Sequence, residues 1–293
     1  DKSQNKTDNI DVSGYDGIFS SLSIDDKYIW MKSENTNNTD YILRANRDTL
    51  KISDSIELAG NEGVSHIRKL EDGNYMIEKY IMDDDEVTSF YMSIYDEELN
   101  EISDCMFFEK SQLENGVSFK GYTVDTDGCY YTLYSDENEN VNMYKYNSDG
   151  SLLFEKENVT ADMEGVLYGA FIDRNGSPVI YTHLEEAGNI YNFNVFDADT
   201  GEISQRYEAE LKGEQTSLCL MMVDSSKTEE YDFAYISEGI IFGYRFEEEE
   251  NIVVANLDKY GNENLEYNSV AVCENLLLAS GCDLSDMESG VFL

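Results

Sequence analysis

The residues of this chain that could do chemistry are 61 Asp and Glu, two His and five Cys, and their spacing limits what that chemistry can be. His66 and His183 stand in apolar, strand-like runs, and neither has a second ligand at metal-site spacing, so neither is expected to bind a metal or act as a base. Cys105, Cys129, Cys219, Cys273 and Cys282 are an odd number with no C-x-x-C pair, which removes the usual zinc and dithiol patterns. Cys129 and Cys219 lie in apolar runs and read as small buried thiols. The spacing of Cys273 and Cys282 leaves their pairing open.

Acids are the one catalytic resource in quantity. Paired carboxylates hydrolyse glycosides, but among 61 acids some pairs will be close in any fold, so abundance carries no signal. The Asp-rich turns at Asp125 to Gly128 and Asp197 to Gly201 would suit calcium only with a ligand at every second position and a closing bidentate Glu, which neither supplies. Hairpin geometry explains them better, since Asp and Asn bond their own backbone and Gly accepts positive φ. No glycine-rich phosphate loop and no G-x-S-x-G elbow occurs. No catalytic residue, cofactor site or metal site is therefore expected.

The elements that would position these groups are strands. The chain has 293 residues, enough to bury roughly three quarters of the unfolded surface without a disulfide or metal. From Ile18 onward, apolar and aromatic runs alternate with turn clusters, and hardly any stretch keeps a helical period. They fall into sets of four: Ile18 to Leu58, Val64 to Phe108, Val117 to Lys156 and Val166 to Leu211. The turn after each third strand recurs at Asn46, Asp96, Asn147 and Asp197, separations of 50, 51 and 50 residues. Asp258 is read as the next equivalent, 61 residues on, with Asp224 to Glu230 and Glu247 to Glu250 lengthening that unit. A second turn, between strands one and two, recurs at Glu71 to Gly73, Asp125 to Gly128 and Asp173 to Gly176.

A repeat of about 50 residues with four antiparallel strands predicts an all-β β-propeller of four-stranded blades. A fifth set runs from Ser217 to Leu257, and a sixth begins at Ser269 and reaches Leu293 before a fourth strand is visible. About six blades are expected, with five or seven as alternatives, in one domain over residues 16–293. Residues 1–15 read as a polar linker or as a closing strand near Ile10 to Val12.

The formal charge is −41, from 20 Lys and Arg against 61 acids. Such a surface repels phosphate backbones and anionic lipid, so nucleic acid is not an expected partner and cationic partners are. No apolar run approaches the roughly 20 residues of a membrane span. Successive turns of a meander lie at opposite ends of a sheet. The loops between strands two and three therefore share an end, and they are acidic: Asp83 to Glu86, Asp136 to Glu139, and Glu185 with Glu186, with the Asn-rich Glu34 to Asp40 in the first set. They are either a docking surface for a cation or basic segment, or solvated loops. Tyr80, Tyr95, Tyr146 and Tyr191 fall within strands, where packing is the expected job.

Asp197, Thr200 and Gly201 resemble the turn of quinoprotein-like propeller repeats, but Ser204 and Gln205 stand where those repeats carry Trp, so no quinone is implied. Tyr231, Asp232, Phe233, Tyr235, Gly239, Gly243 and Tyr244, followed by Val270 to Leu278, resemble the propeller-like N-terminal region of bacterial extracellular solute-binding-type lipoproteins. That resemblance implies secretion, anchoring at the cell surface through a removed N-terminal cysteine, and a binding or scaffolding role. Together these readings give a monomeric, non-catalytic extracellular module that binds a protein, peptide or small ligand through its acidic loops. The alternative is a secreted carbohydrate-active enzyme with paired carboxylates near the propeller axis.

Overall fold

A computed structural model describes residues 10–12, 14–15, 18–34, 39–70, 72–84, 86–113, 116–184, 188–212, 220–221, 230–237, 240–256, 265–273, 276–283 and 288–292. For Ile18, Ser21, Leu220, Met221 and residues 265–292 the description is of the backbone. The chain forms two compact units, Asp1–Glu109 with Gly261–Leu293, and Lys110–Tyr260.

In the first unit, β1 (Ile18–Ile24), β2 (Tyr28–Glu34), β3 (Tyr41–Asn46) and β4 (Lys51–Glu57) form one antiparallel sheet in chain order. β5 (Glu62–Lys69), β6 (Tyr75–Asp83), β7 (Glu86–Tyr95) and β8 (Glu101–Glu109) form the next. In the second unit the sheets are β9 (Ser118–Val124), β10 (Tyr130–Ser135), β11 (Val141–Tyr146) and β12 (Leu152–Lys156), then β13 (Val166–Ile172), β14 (Pro178–His183), β15 (Ile190–Phe196) and β16 (Ile203–Glu210). A fifth follows, of β17 (Leu220–Met221), β18 (Phe233–Ser237), β19 (Ile240–Arg245) and β20 (Glu250–Asn256). The first unit ends with a three-stranded sheet, β21 (Leu265–Cys273), β22 (Leu276–Asp283) and β23 (Glu288–Phe292). This is an all-β β-propeller chain with five four-stranded antiparallel blades. The count falls on the lower of the expected numbers because, among the described residues, the sixth set contributes three strands.

Burial follows position in the blade. The second strands are buried almost throughout, as in β10 (five of six residues buried) and β18 (buried at all five positions), because both of their faces meet apolar neighbours. Fourth strands alternate or stay exposed, β4 and β16 among them, because they form the solvent edge. Pro178 is tolerated in a second strand because it occupies its first position. Within the first unit, Trp30, Ile42, Ile67, Tyr75, Ile77 and Tyr95 form the core between its first two blades. In the second unit, Tyr131, Met143, Ile180 and Phe196 join blades three and four, and Phe171, Phe193, Phe233, Tyr235 and Phe246 join four and five.

The repeat survives in backbone conformation. The turn after each third strand ends on a residue of positive φ: Leu50 (53°), Leu99 (63°), Gly150 (85°), Gly201 (67°) and Glu249 (52°). Each of their N–H groups bonds back across the turn, to Asn46, Asp96, Asn147, Asp197 and Phe246 respectively. In two of these turns the side chains make the same bonds. Asn46 Oδ1 accepts from the N–H of Asp48 and Thr49 and from the Thr49 hydroxyl, and Asp197 Oδ1 accepts from Asp199, Thr200 and the Thr200 hydroxyl. The fifth turn corrects the sequence reading: Phe246 to Glu249 is the equivalent, not Asp258, which lies outside the described residues. The repeat therefore keeps its length, and Glu247 to Glu249 belong to the turn itself, with Glu250 opening β20, instead of forming an insertion.

The described N-terminal residues pair with the first blade. Asp11 forms a parallel bridge with Lys51 of β4, and Ile10, Val12 and Tyr15 pack beside Ile24, Ile29, Met31, Leu43 and Ala45. The Ile10 to Val12 segment, expected to add a strand to the last sheet, instead covers an edge and an apolar face of the first.

Candidate functional site

Among the described residues, the carboxylates whose proton affinity is raised on balance, burial being the main cause, are Asp125, Asp173 and Asp232 of the second unit. Asp125 Oδ1 accepts from the N–H of Asp127 and Cys129, and Asp173 Oδ1 from Asn175 and Ser177. These are the expected turns between strands one and two, with Gly128 (φ 81°) and Gly176 (φ 79°) bonding back to the same residues. Asp232 accepts from the Phe246 N–H at 2.7 Å and is ion-paired with Arg174 Nε at 2.9 Å. Each of these acids fixes backbone, which is a structural employment of a buried charge.

Among the described residues no group of three or more His, Cys, Asp or Glu could hold a metal ion. The Cys129 thiol is half-buried, and burial raises its pKa, the direction that suppresses thiolate chemistry. Tyr95 and Tyr191 are core residues, Tyr146 stacks on Tyr130 at 4.9 Å, and Tyr80 lies over Gly63, where a Cβ would meet its ring at 2.1 Å. The segment behind the family resemblance is also packing: Tyr231, Asp232, Phe233, Tyr235 and Tyr244 are buried, and Gly243 leaves room for the Tyr231 ring. Gly239, Cys219, and the side chains of Cys273 and Cys282 lie outside the described residues.

The ends where strand two passes to strand three carry exposed acids in both units. In the first unit, Asp83, Asp84 and Glu86 are exposed around a tight hairpin, with Asp84 at φ 48°. Glu34 and Asp40 converge on Lys32, at 2.6 and 3.7 Å. In the second unit, Asp136 spends its carboxylate on the N–H of Asn138 and Asn140, whereas Glu137 and Glu139 are exposed. Asp85, Glu185 and Glu186 lie outside the described residues.

At the same end of blade four stands a group that sequence reasoning missed. Tyr168 is 54% exposed. Its ring is 5.8 Å from His183 at 73° and 6.2 Å from Tyr191 at 85°, while His183 and Tyr191 stack at 4.6 Å and 27°. Tyr168 thus stands upright against a stacked pair, and the exposed part of the group is an aromatic corner. His183 Nε2 lies 2.8 Å from the Gly188 carbonyl, which only accepts, so that nitrogen carries the proton and the ring is fixed. Tyr168 is also the unpaired residue of a β-bulge, since Leu167 pairs with Thr182 and Gly169 with Tyr181. A bulge re-aims one side chain, which is how Tyr168 escapes the inward packing of its strand. Gly165 (φ 95°) makes the approach possible, because a Cβ there would sit 2.3 Å from the His183 carbonyl. Next to it, the Glu164 carbonyl accepts from Thr182 Oγ1 and Asn192 Nδ2, which locks an exposed acid at the head of β13.

The bulge recurs at Leu22, Ser65 and Lys120 in the first three blades. Tyr168 is the aromatic member of that series. Regular spacing with one odd residue was the available signal, but it is readable only once the register is known.

The topology defines a β-propeller, and the comparisons agree with it in fold. No protein-family model and no curated relative matches the chain. Among solved structures it is similar to AofleA from Arthrobotrys oligospora, at 9% identity and TM-score 0.52, over 95% of this chain and 83% of that one. It is also similar to the β-propeller domain of the Trilobed protease from Pyrococcus furiosus, described as having an open velcro topology, at 10% identity and TM-score 0.49, over 95% and 93%. At such identities the likeness concerns fold and not activity.

Proposed function

We propose that this protein is a non-catalytic binding module whose partner is a cationic protein or peptide segment, met at the ends where strand two passes to strand three. The observation that carries the reading is a net charge of −41 combined with exposed acids at those ends in each unit taken by itself, Asp83 and Asp84 in the first and Glu137 and Glu139 in the second. A field of that sign concentrates basic segments and repels acidic ones. The acids with raised proton affinity favour binding over catalysis, because their lone pairs are engaged by turn N–H groups. The resemblance around Tyr231 to Tyr244 supports placing the module outside the cell, as the propeller part of a surface-anchored lipoprotein.

The test is calorimetric titration with a ten-residue lysine-arginine peptide, a glutamate peptide of equal length and a neutral oligosaccharide. Binding of the basic peptide alone is expected. Binding of the oligosaccharide with no binding of the basic peptide would overturn the reading in favour of a carbohydrate-directed protein.

A further inference from the structure

We infer that the aromatic corner of Tyr168 and His183 is the point where a lysine or arginine side chain of the partner lands, an inference that rests on the binding reading above. Three features of one place carry it. The first is the ring itself, 54% exposed at a bulge that lifts it out of the packing of β13. A tyrosine face attracts ammonium and guanidinium groups through its quadrupole, and guanidinium also stacks on it.

The second is rigidity. The ring stands at 73° to His183 and 85° to Tyr191, on a stacked pair whose histidine is held by the Gly188 carbonyl. A cation meeting fixed walls loses little to reorganisation of the site, so more of the interaction appears as affinity. The third is charge. Glu164 is exposed and anchored through its carbonyl at the head of the same strand, in a chain of net charge −41.

Charge complementarity favours a basic occupant over a second copy of this acidic chain. The protein itself uses the same chemistry internally: Arg44 lies 4.4 Å from the Tyr28 ring centroid and Lys145 5.1 Å from that of Tyr131.

The experiment is a fluorescence titration of deca-arginine and deca-lysine against the intact chain and its Tyr168→Ala and Tyr168→Phe variants, each first shown to melt at the wild-type temperature. Wild-type binding that weakens about three- to thirtyfold in Tyr168→Ala and stays within about twofold in Tyr168→Phe is expected, the span from exposed to desolvated cation–π contacts. Binding equal in wild type and Tyr168→Ala would overturn this site and leave the basic-partner reading standing. No binding of either peptide to the wild type would overturn both. A parallel titration with a second copy of the chain, followed by light scattering, should show no association; self-association lost in Tyr168→Ala would assign the corner to a homotypic contact and overturn the inference.

Discussion

Arg44 and Lys145 occupy equivalent positions, two residues before the turns that begin at Asn46 and Asn147, and they do equivalent work. Each side chain is buried, passes over a second-strand aromatic ring, and donates to a backbone carbonyl in the turn of the following blade. Arg44 Nη1 reaches Glu97 O at 2.7 Å and Lys145 Nζ reaches Ala198 O at 2.8 Å. Arg44 also gives Nε and Nη2 to Asp54. Lys145→Met should therefore cost about 1–3 kcal/mol, because it leaves a turn carbonyl without its charged donor. Arg44→Lys should cost a similar amount, since an ammonium cannot make both contacts at once. Urea denaturation measures both.

Backbone strain gives a second residue-scale expectation. Gly201 at φ 67° would place a Cβ 2.6 Å from Phe154, so Gly201→Ala should lose at least about 1–2 kcal/mol. Glu249, exposed at φ 52°, carries the same strain without a packing role, and Glu249→Gly should gain up to about 1 kcal/mol. A loss there would show that Glu249 holds its turn in some other way. The glycine members of this series were legible because Asn or Asp followed by Gly announces the conformation. Leu50, Leu99 and Glu249 were not, since no local preference marks a leucine or glutamate for positive φ. The same silence moved the fifth turn from Phe246 to Asp258.

At the scale of the element, the buried carboxylates of the turns between strands one and two, with Asp232 beside the turn at Phe246, link the fold to pH. Asp125, Asp173 and Asp232 hold their protons more tightly when folded, burial being the main cause. Their contribution is complete below the ordinary carboxylate value of 3.8 and is lost as pH rises through their raised values. Asp54 and Glu62 run the other way: burial is the largest single influence and would raise them, but their partners together outweigh it and lower them. At Asp54 these are hydrogen bonds from Arg44 and Ser53 with the Arg44 charge, and at Glu62 hydrogen bonds from Tyr91 and the Ala59 N–H with the Lys79 charge. Their contribution is present above the ordinary value and is lost as pH falls through the lowered one. Stability should therefore rise on mild acidification from neutrality and fall again below about pH 4. Asp173→Asn keeps the acceptor that Asn175 and Ser177 need, and it should remove part of the rise. Thermal melts at pH 7, 5 and 3 follow both effects. These turns could be read from Asp-x-x-Gly spacing alone, whereas the bulge that exposes Tyr168 could not, because it depends on how β13 registers against β14.

At the scale of the whole molecule, the 50-residue period and the four-strand sets were legible from turn chemistry and apolar alternation, and they lead to the propeller class. The number of complete blades depended on whether the final set finds a fourth strand, which pairing decides and composition does not. The acidic ends of the blades were also legible, because charge can be counted in a loop once the meander fixes which end the loop occupies. The aromatic part of the candidate site was hidden by its position inside a strand. The charge itself has a mechanical consequence. With −41 spread over 293 residues, self-repulsion opposes compaction, so raising salt should raise the melting temperature even as it weakens capture of a basic partner. The most direct test of the central claim is the association rate of a lysine-arginine decapeptide with the intact protein, followed by stopped-flow fluorescence from low to physiological salt and above. Electrostatic capture predicts a rate that falls at least about tenfold from 20 to 300 mM salt. A rate that does not change with salt, or no association at low salt, would contradict it.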